Sequence, residues 1–341
     1  QHSVKELRSL GISPDVIVCR CNKPFSVDIK EKIALFCDVE KNGVIMCPDE
    51  KSIYDVPLLL EHEKIDHYVL NKFNIQKKTS VLTEWKRFID HFHDKNKPVI
   101  TIAIVGKYTS LSDSYLSVVE SLKHSATTAK CDVNIRWIDS ELLDDTNISK
   151  RLNDVHGILI PGGFGDRGIQ GKILAAQYAR QQHIPYFGLC LGMHILVIEY
   201  ARHELNMKEA NSEEFNKDTK QPLIHLMEDQ IDIQDKGGTM RLGSYPCHIL
   251  PDTKLYQAYQ KELVHERHRH RYEFNNTYRE HFDRDFIFSG LSPDGNLVEV
   301  IEHKTHPWYV ACQFHPEFKS RPYRPHPLFI QFIHASLNES K

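Results

Sequence analysis

Three short stretches carry residue types that could do covalent chemistry together. Residues 184–194 read Ile-Pro-Tyr-Phe-Gly-Leu-Cys-Leu-Gly-Met-His, an apolar run leading into Gly188-x-Cys190-x-Gly192 and then into a helix-compatible run from His194 to Arg202. Strand, abrupt turn and helix in that order form a nucleophile elbow, which presents the Cys190 thiol at a strand end above a helix amino-terminus. Side chains at 188 or 192 would collide with the neighbouring strand or helix. A cysteine nucleophile needs a base and a group that holds the base. Residues 308–314 read as a strand running into His315-Pro316-Glu317. Pro316 disfavours a helical backbone at His315, so the segment is expected to stay extended, with His315 and Glu317 on one side. His315 would take the thiol proton and Glu317 would fix its tautomer. A third strand, residues 157–161, ends in Gly162-Gly163-Phe164-Gly165, and the amides of Gly163 and Leu191 are expected to face a developing oxyanion. A phosphate loop at 165–172 fails on register, because Asp166 stands where glycine is needed and Ile173 follows Lys172 in place of Ser or Thr.

Placing these motifs requires alternating strands and helices. Residues 99–106 are an apolar strand, 114–124 a helix, 133–138 a strand, and 158–160 and 184–189 further strands separated by helices. That order predicts an α/β fold with a doubly wound, mostly parallel sheet, its chemistry at the strand ends. Residues 203–240 read as polar and loop-rich, and 266–271 as a basic run, usually a solvated face. Upstream, residues 4–10, 28–37 and 83–93 read as helices, and 16–21 and 43–46 as strands. The charged, proline-closed stretch 94–98 divides the chain into 1–94, a partial α/β domain with a linker, and 95–341.

Composition narrows the partners. The 341 residues are 40% hydrophobic and 26% charged, enough for two cores. The 43 Lys and Arg nearly balance 46 Asp and Glu, leaving a net charge of -3, so neither nucleic acid nor a membrane surface is an expected partner. No apolar run approaches the roughly 18 residues that span a bilayer. The eight cysteines, at 19, 21, 37, 47, 131, 190, 247 and 312, follow neither zinc nor disulfide spacing, and the 21 histidines form no His-Glu-x-x-His. A cytoplasmic chain with reduced thiols and no metal site is expected.

Residues 161–165, 188–193 and 314–318 resemble the class I glutamine amidotransferases. The stretches 1–11, 210–212, 237–243 and 266–273 are similar to the CTP synthases within that group. The resemblance covers essentially the whole chain and implies a glutaminase domain preceded by the end of an amidoligase domain, whose phosphate loop and metal ligands are expected upstream of Gln1. It implies that Cys190, His315 and Glu317 hydrolyse glutamine, and that Gly163, Leu191, Gly192, Met193, His194, Glu214 and Arg271 bind it. Glu214 would meet the ammonium and Arg271 the α-carboxylate. Ammonia would then serve ATP- and Mg2+-dependent amination of UTP to CTP. Lys32, Gln1 and Arg20 would contact nucleotides, and Phe164 and Arg167, with Arg269, would belong to the region through which GTP activates. A homotetramer is implied. His194 departs from the family's usual glutamine, and the change is expected to alter pocket contacts or add pH sensitivity near neutrality. Two other readings stay open: a free γ-glutamyl hydrolase, and a non-catalytic regulatory or assembly subunit.

Overall fold

Apolar runs without polar alternation, such as Ile158-Leu159-Ile160 and Tyr186-Phe187-Gly188-Leu189, suit strands covered on both faces. In the computed structural model, which describes residues 1–76, 82–109, 111–227 and 240–339, they lie at the centre of a nine-stranded sheet. Gly237, Gly238 and Thr239 of the 237–243 motif lie outside the described residues. The chain forms two compact units, Gln1–His93 and Asp94–Lys341.

The first unit contains α1 (His2–Ser9), β1 (Ile17–Cys21), α2 (Val27–Cys37), β2 (Val44–Pro48), α3 (Val56–His62), α4 (Ile65–Lys72) and α5 (Thr83–His93). β1 and β2 pair in parallel from Ile17↔Val44 to Cys21↔Pro48. A small hydrophobic core of Tyr54, Phe88 and Ile89 packs against Trp85, whose indole N–H donates to the Tyr54 carbonyl at 2.9 Å.

The second unit runs β3 (Val99–Gly106), α6 (Leu116–Thr128), β4 (Asp132–Asp139), α7 (Ile148–Leu152), β5 (Gly157–Ile160), α8 (Ile169–Gln181), β6 (Tyr186–Leu189) and α9 (Leu191–His203). It continues through β7 (Ala210–Ser212), β8 (Gln221–Leu226), β9 (Arg241–Ile249), α10 (Lys254–Tyr259), β10 (Leu263–His270), β11 (Tyr272–Phe274) and α11 (Arg279–Phe282). It ends with β12 (Phe286–Leu291), β13 (Val298–His303), β14 (Tyr309–Cys312) and α12 (Pro327–Glu339). The large sheet has the order β10-β9-β12-β13-β14-β6-β5-β3-β4. From β14 to β4 neighbouring strands are parallel, the doubly wound part; from β14 to β10 they are antiparallel. β11, β8 and β7 form a separate small sheet, of which β7 and β8 lie within the residues that read as polar loop.

Successive residues along each parallel strand feed opposite faces. Ile158, Ile160 and Tyr186 join a core with α8 and α9, whereas Leu159, Phe187 and Leu189 join one with α6 and α12. The turn from β6 into α9 is crowded. A β-carbon at Gly192 would lie 2.4 Å from the Ile160 carbonyl oxygen, and one at Gly188 would lie 2.6 Å from the Gly192 oxygen, so both positions exclude a side chain.

Helix α9 is fixed by a buried ion pair. Glu199 is fully buried and receives Arg180 of α8 at 2.8 Å (Nη2 to Oε1) and 3.1 Å (Nε to Oε2), while the Tyr309 hydroxyl donates to it at 3.2 Å. Removing one partner of such a pair strands a charge in low dielectric. Arg180→Met should therefore lower stability by about 3 kcal/mol, the low end of the range for buried pairs, since Tyr309 and His203 still reach the carboxylate. Urea denaturation followed by circular dichroism checks this; a loss within about 0.5 kcal/mol, the scale of ordinary surface changes, would show that the pair does not hold α9.

Candidate active site

The elbow places Cys190 in a conformation few residues adopt, with φ 49° and ψ −98°. Such geometry costs about 1–3 kcal/mol and persists only when its surroundings over-determine it. Here the Cys190 N–H donates to the Cys312 carbonyl at 2.7 Å, which ties the turn to the end of β14. The Cys190 carbonyl accepts from the Met193 N–H at 3.0 Å and opens α9. The amides of Leu191 and Gly192 precede the first intrahelical bonds, so they belong to the polar end of the helix.

The strand expected to deliver His315 does so, but the segment beyond it is not extended. His315 has φ −113° and ψ 84°, and Pro316–Phe318 then form a 3-10 turn. Proline supports that turn because its fixed φ suits a first helical position. Glu317 reaches His315 through the turn and not by strand alternation, with Nδ1 to Oε1 at 2.7 Å. The Phe318 ring stacks on the imidazole at 5.2 Å.

His315 and Cys190 face each other across Gly162. A β-carbon on Gly162 would lie 2.7 Å from the His315 Cε1 and 3.6 Å from the Cys190 Cβ, so only a glycine fits between them. The expected Gly163 is less confined; its β-carbon would meet only Leu191 Cδ2, at 3.4 Å. Burial by itself would push the His315 pKa down. The charges of Glu317 and Cys190, together with hydrogen bonds to both, outweigh it and lift the imidazole to about 10. The site is thus built to hold an imidazolium beside a sulfur. A cavity of about 490 Å3 opens over it, lined by Gly162, Gly163, Phe164, Arg269, Cys190 and His315 among others.

The glycine loop is held from several sides. The Gly165 N–H donates to Glu214 Oε1 at 2.8 Å, Lys107 Nζ donates to the Phe164 carbonyl, and Lys172 Nζ donates to the Arg167 carbonyl at 3.2 Å. Burial pushes Lys172 down to about 8 and pushes the Glu214 carboxyl up. Glu214 and Arg271 border the two outer strands of the small sheet, β7 and β11. Glu214 follows β7, Arg271 lies between β10 and β11, and both act electrostatically on Tyr272. Phe164 is half exposed under the Arg269 guanidinium, 5.8 Å from its ring, while Arg167 is tied to Glu141 at 2.6 Å. Met193 sends its side chain into the core.

Several residues carry weight that the sequence does not announce. The run 266–271 is largely strand β10 with strictly alternating burial, so Glu266, His268 and His270 face inward. The His270 Nδ1–H donates to the Tyr272 carbonyl at 3.0 Å, across Arg271, and its Nε2 meets His268 Nδ1 at 3.0 Å. The pH sensitivity near neutrality expected of His194 does not arise: the residue is 2% exposed and burial lowers its pKa to about 4, so it is neutral at neutral pH. Its Nε2 meets Gln313 Oε1 at 2.9 Å.

In the first unit Gln1 sits just before α1 without a capping side-chain hydrogen bond, Arg20 pairs with Asp49 at 3.2 Å, and Lys32 lies on α2; all three are exposed. The cavity of about 580 Å3 beside α2 is lined by Asp15, Asp38, Glu40 and Lys72 among others, and by none of the three. Among the described residues no three His, Cys, Asp or Glu side chains converge as a metal-binding group. No helix among them is long and apolar enough to cross a membrane.

Comparison with known proteins places the chain in a family. Residues 110–335 match the family described as "Glutamine amidotransferase class-I", and residues 1–75 match "CTP synthase N-terminus". The CTP synthase of Bacillus velezensis is 53% identical over 342 residues, and that of Carboxydothermus hydrogenoformans 54%. Each alignment covers 100% of this chain and 64% of the relative, so the chain spans somewhat under two thirds of the length of these proteins. Among solved structures, the glutaminase domain of Trypanosoma brucei CTPS with bound acivicin is 37% identical with a TM-score of 0.66, covering 70% of this chain and 94% of that one. The chain belongs to the class-I glutamine amidotransferase family, and these relatives, matched over its whole length, are CTP synthases.

Proposed function

We propose that Cys190, His315 and Glu317 hydrolyse glutamine to glutamate and ammonia, and that the ammonia supports the amination of UTP to CTP. The observation that carries this reading is the convergence on Gly162 of a strained cysteine and an imidazole held by a carboxylate at 2.7 Å. The thiol proton passes to His315, and the Cys190 sulfur attacks the side-chain amide carbon. The amides of Gly163 and Leu191 hold the oxyanion, His315 returns its proton to the departing ammonia, and water releases glutamate from the thioester. Glu214 and Arg271 bind the amino and carboxyl ends of the substrate, with Gly192 and the Met193 backbone beside its side chain. A free amino acid suits that pairing of opposite charges.

The match of residues 1–75 to a CTP synthase segment and the names of the relatives support the second half of the reading. ATP and Mg2+ would serve the amination step, with Lys32, Gln1 and Arg20 near nucleotides. GTP would activate through Phe164 and Arg167, and the protein would assemble as a homotetramer.

Two outcomes test the site. Cys190→Ala should lower glutamine hydrolysis by at least about a thousandfold, measured by glutamate release, and in a protein of the relatives' full length it should leave CTP formation from ammonia intact. Retained glutamate release would contradict the assignment. Because the Glu317 charge is one of the influences that lift His315 to about 10, Glu317→Gln should move the alkaline limb of hydrolysis to lower pH by about one unit or more. It should also cut kcat at least about tenfold. An unmoved alkaline limb would show that Glu317 does not govern the imidazolium.

A further inference from the structure

The Cys190 sulfur has a second neighbour besides His315. Gln313, 1% exposed, places its Nε2 at 3.6 Å from Cys190 Sγ and its Oε1 at 2.9 Å from His194 Nε2. Both contacts follow from local geometry. The Gln313 N–H extends the β13–β14 pairing to the Glu299 carbonyl at 2.8 Å, and Gln313 and His315, two residues apart at the end of β14, both reach the same sulfur. His194 stands four residues after Cys190, one turn into α9, on the face beneath the turn.

We propose that Gln313 is a further catalytic residue, whose side-chain amide donates a hydrogen bond to the Cys190 sulfur as the thiol gives up its proton, and that His194 is the positioning residue that fixes which end of that amide faces the sulfur. A carboxamide can present either NH2 or oxygen, and the two are isosteric. The chemistry chooses. Once the Sγ proton has passed to His315, the sulfur can only accept, so the NH2 must face it. Gln313 Oε1 then faces His194 Nε2 and needs a donor there, which puts the ring hydrogen on Nε2 and leaves Nδ1 bare. Nδ1 is the nitrogen that lies buried without a hydrogen-bond partner, and with the hydrogen on Nε2 no donor of the ring is left unsatisfied. The ring is neutral at neutral pH, so the dyad adds no competing positive charge. No bond to Gln313 forms or breaks; the proton travels from Sγ to His315 alone. Hydrogen bonds to charged groups are worth more than neutral ones, enough to change a thiolate population about tenfold to a hundredfold. Gly-x-Cys-x-Gly thus supplies the sulfur, and the end of β14 supplies both a proton acceptor and a donor to the anion.

The inference rests on Cys190 being the nucleophile, and its test does not use glutamine. Iodoacetamide alkylation of Cys190 is followed across pH by peptide mass spectrometry, which separates it from the other seven free thiols. Gln313→Met, close in volume but without a donor, should slow Cys190 alkylation at pH 7 by about tenfold or more and move the pH profile upward. His194→Gln keeps a donor toward Oε1 and should stay within about twofold of the parent, whereas His194→Phe should behave like Gln313→Met. Should Gln313→Met fail to fold by circular dichroism, the contrast between the two His194 variants decides the question. A folded Gln313→Met with the parent profile, or equal profiles for His194→Gln and His194→Phe, overturns the proposal. Normal alkylation behaviour without glutamine turnover would instead overturn the functional reading and leave this one standing.

Discussion

The site exists because the chain is forced to reverse within a few residues between β6 and α9. Cys190 sits at φ 49° and ψ −98°, a conformation with no intrinsic appeal for a residue bearing a side chain. It is held by the Cys312 carbonyl on one side and by the start of α9 on the other. Neither restraint would act without the parallel pairing of β6 with β14, which runs from Tyr186↔Tyr309 to Leu189↔Cys312. The same pairing brings His315 past the strand end to the sulfur. Strain at one residue and delivery of its partner are therefore two results of a single strand contact.

Burial gives the contact its chemical value. Cys190, Gln313, His315 and Glu317 are all nearly excluded from water, where charge interactions are strong and an unpaired polar group is costly. The surrounding fold treats its other buried acids in the same way. Glu302 caps α10 through the amides of Lys254 and Leu255, Glu299 meets Arg241 at 2.7 Å, and Glu266 meets Lys319 at 2.9 Å. Each is an acidic side chain on a strand of the antiparallel half, and each is matched by a donor. The glycine loop is held more loosely, by long side chains from Lys107 and Lys172 and by Glu214. Glu214, which the family resemblance puts against the substrate ammonium, touches that loop through the Gly165 N–H.

Much of this is legible in the sequence where a local rule and the tertiary environment agree. β3 and α5 occupy the spans their apolar patterns indicate, because an uninterrupted apolar run suits a strand covered on both faces and an amphipathic run suits a helix covered on one. The elbow is legible because two glycines flank the cysteine. The antiparallel half is not, since β10 alternates histidine and arginine with buried glutamate and reads as solvated charge; only partners distant in sequence, such as Arg241, Lys319 and His326, make its inward face tolerable. Gln313 escapes sequence reading for a similar reason. Its period-two relation to His315 is visible, but a glutamine in an apolar strand end has no distinctive signature until His194 and Cys190 are seen on either side of it. The 3-10 turn at Pro316 departs from the extended expectation because proline restricts the residue before it while favouring helical geometry after it.

The central claim is that one thiol of eight is singled out by its fold for attack on a glutamine side chain. The most direct measurement is labelling with a glutamine analogue that carries a chloroketone in place of the amide, followed by peptide mass spectrometry of all eight cysteines. The account predicts a covalent adduct on Cys190, prevented by excess glutamine, with the other seven thiols unmodified. Labelling of another cysteine, or labelling of Cys190 that glutamine does not suppress, would contradict it.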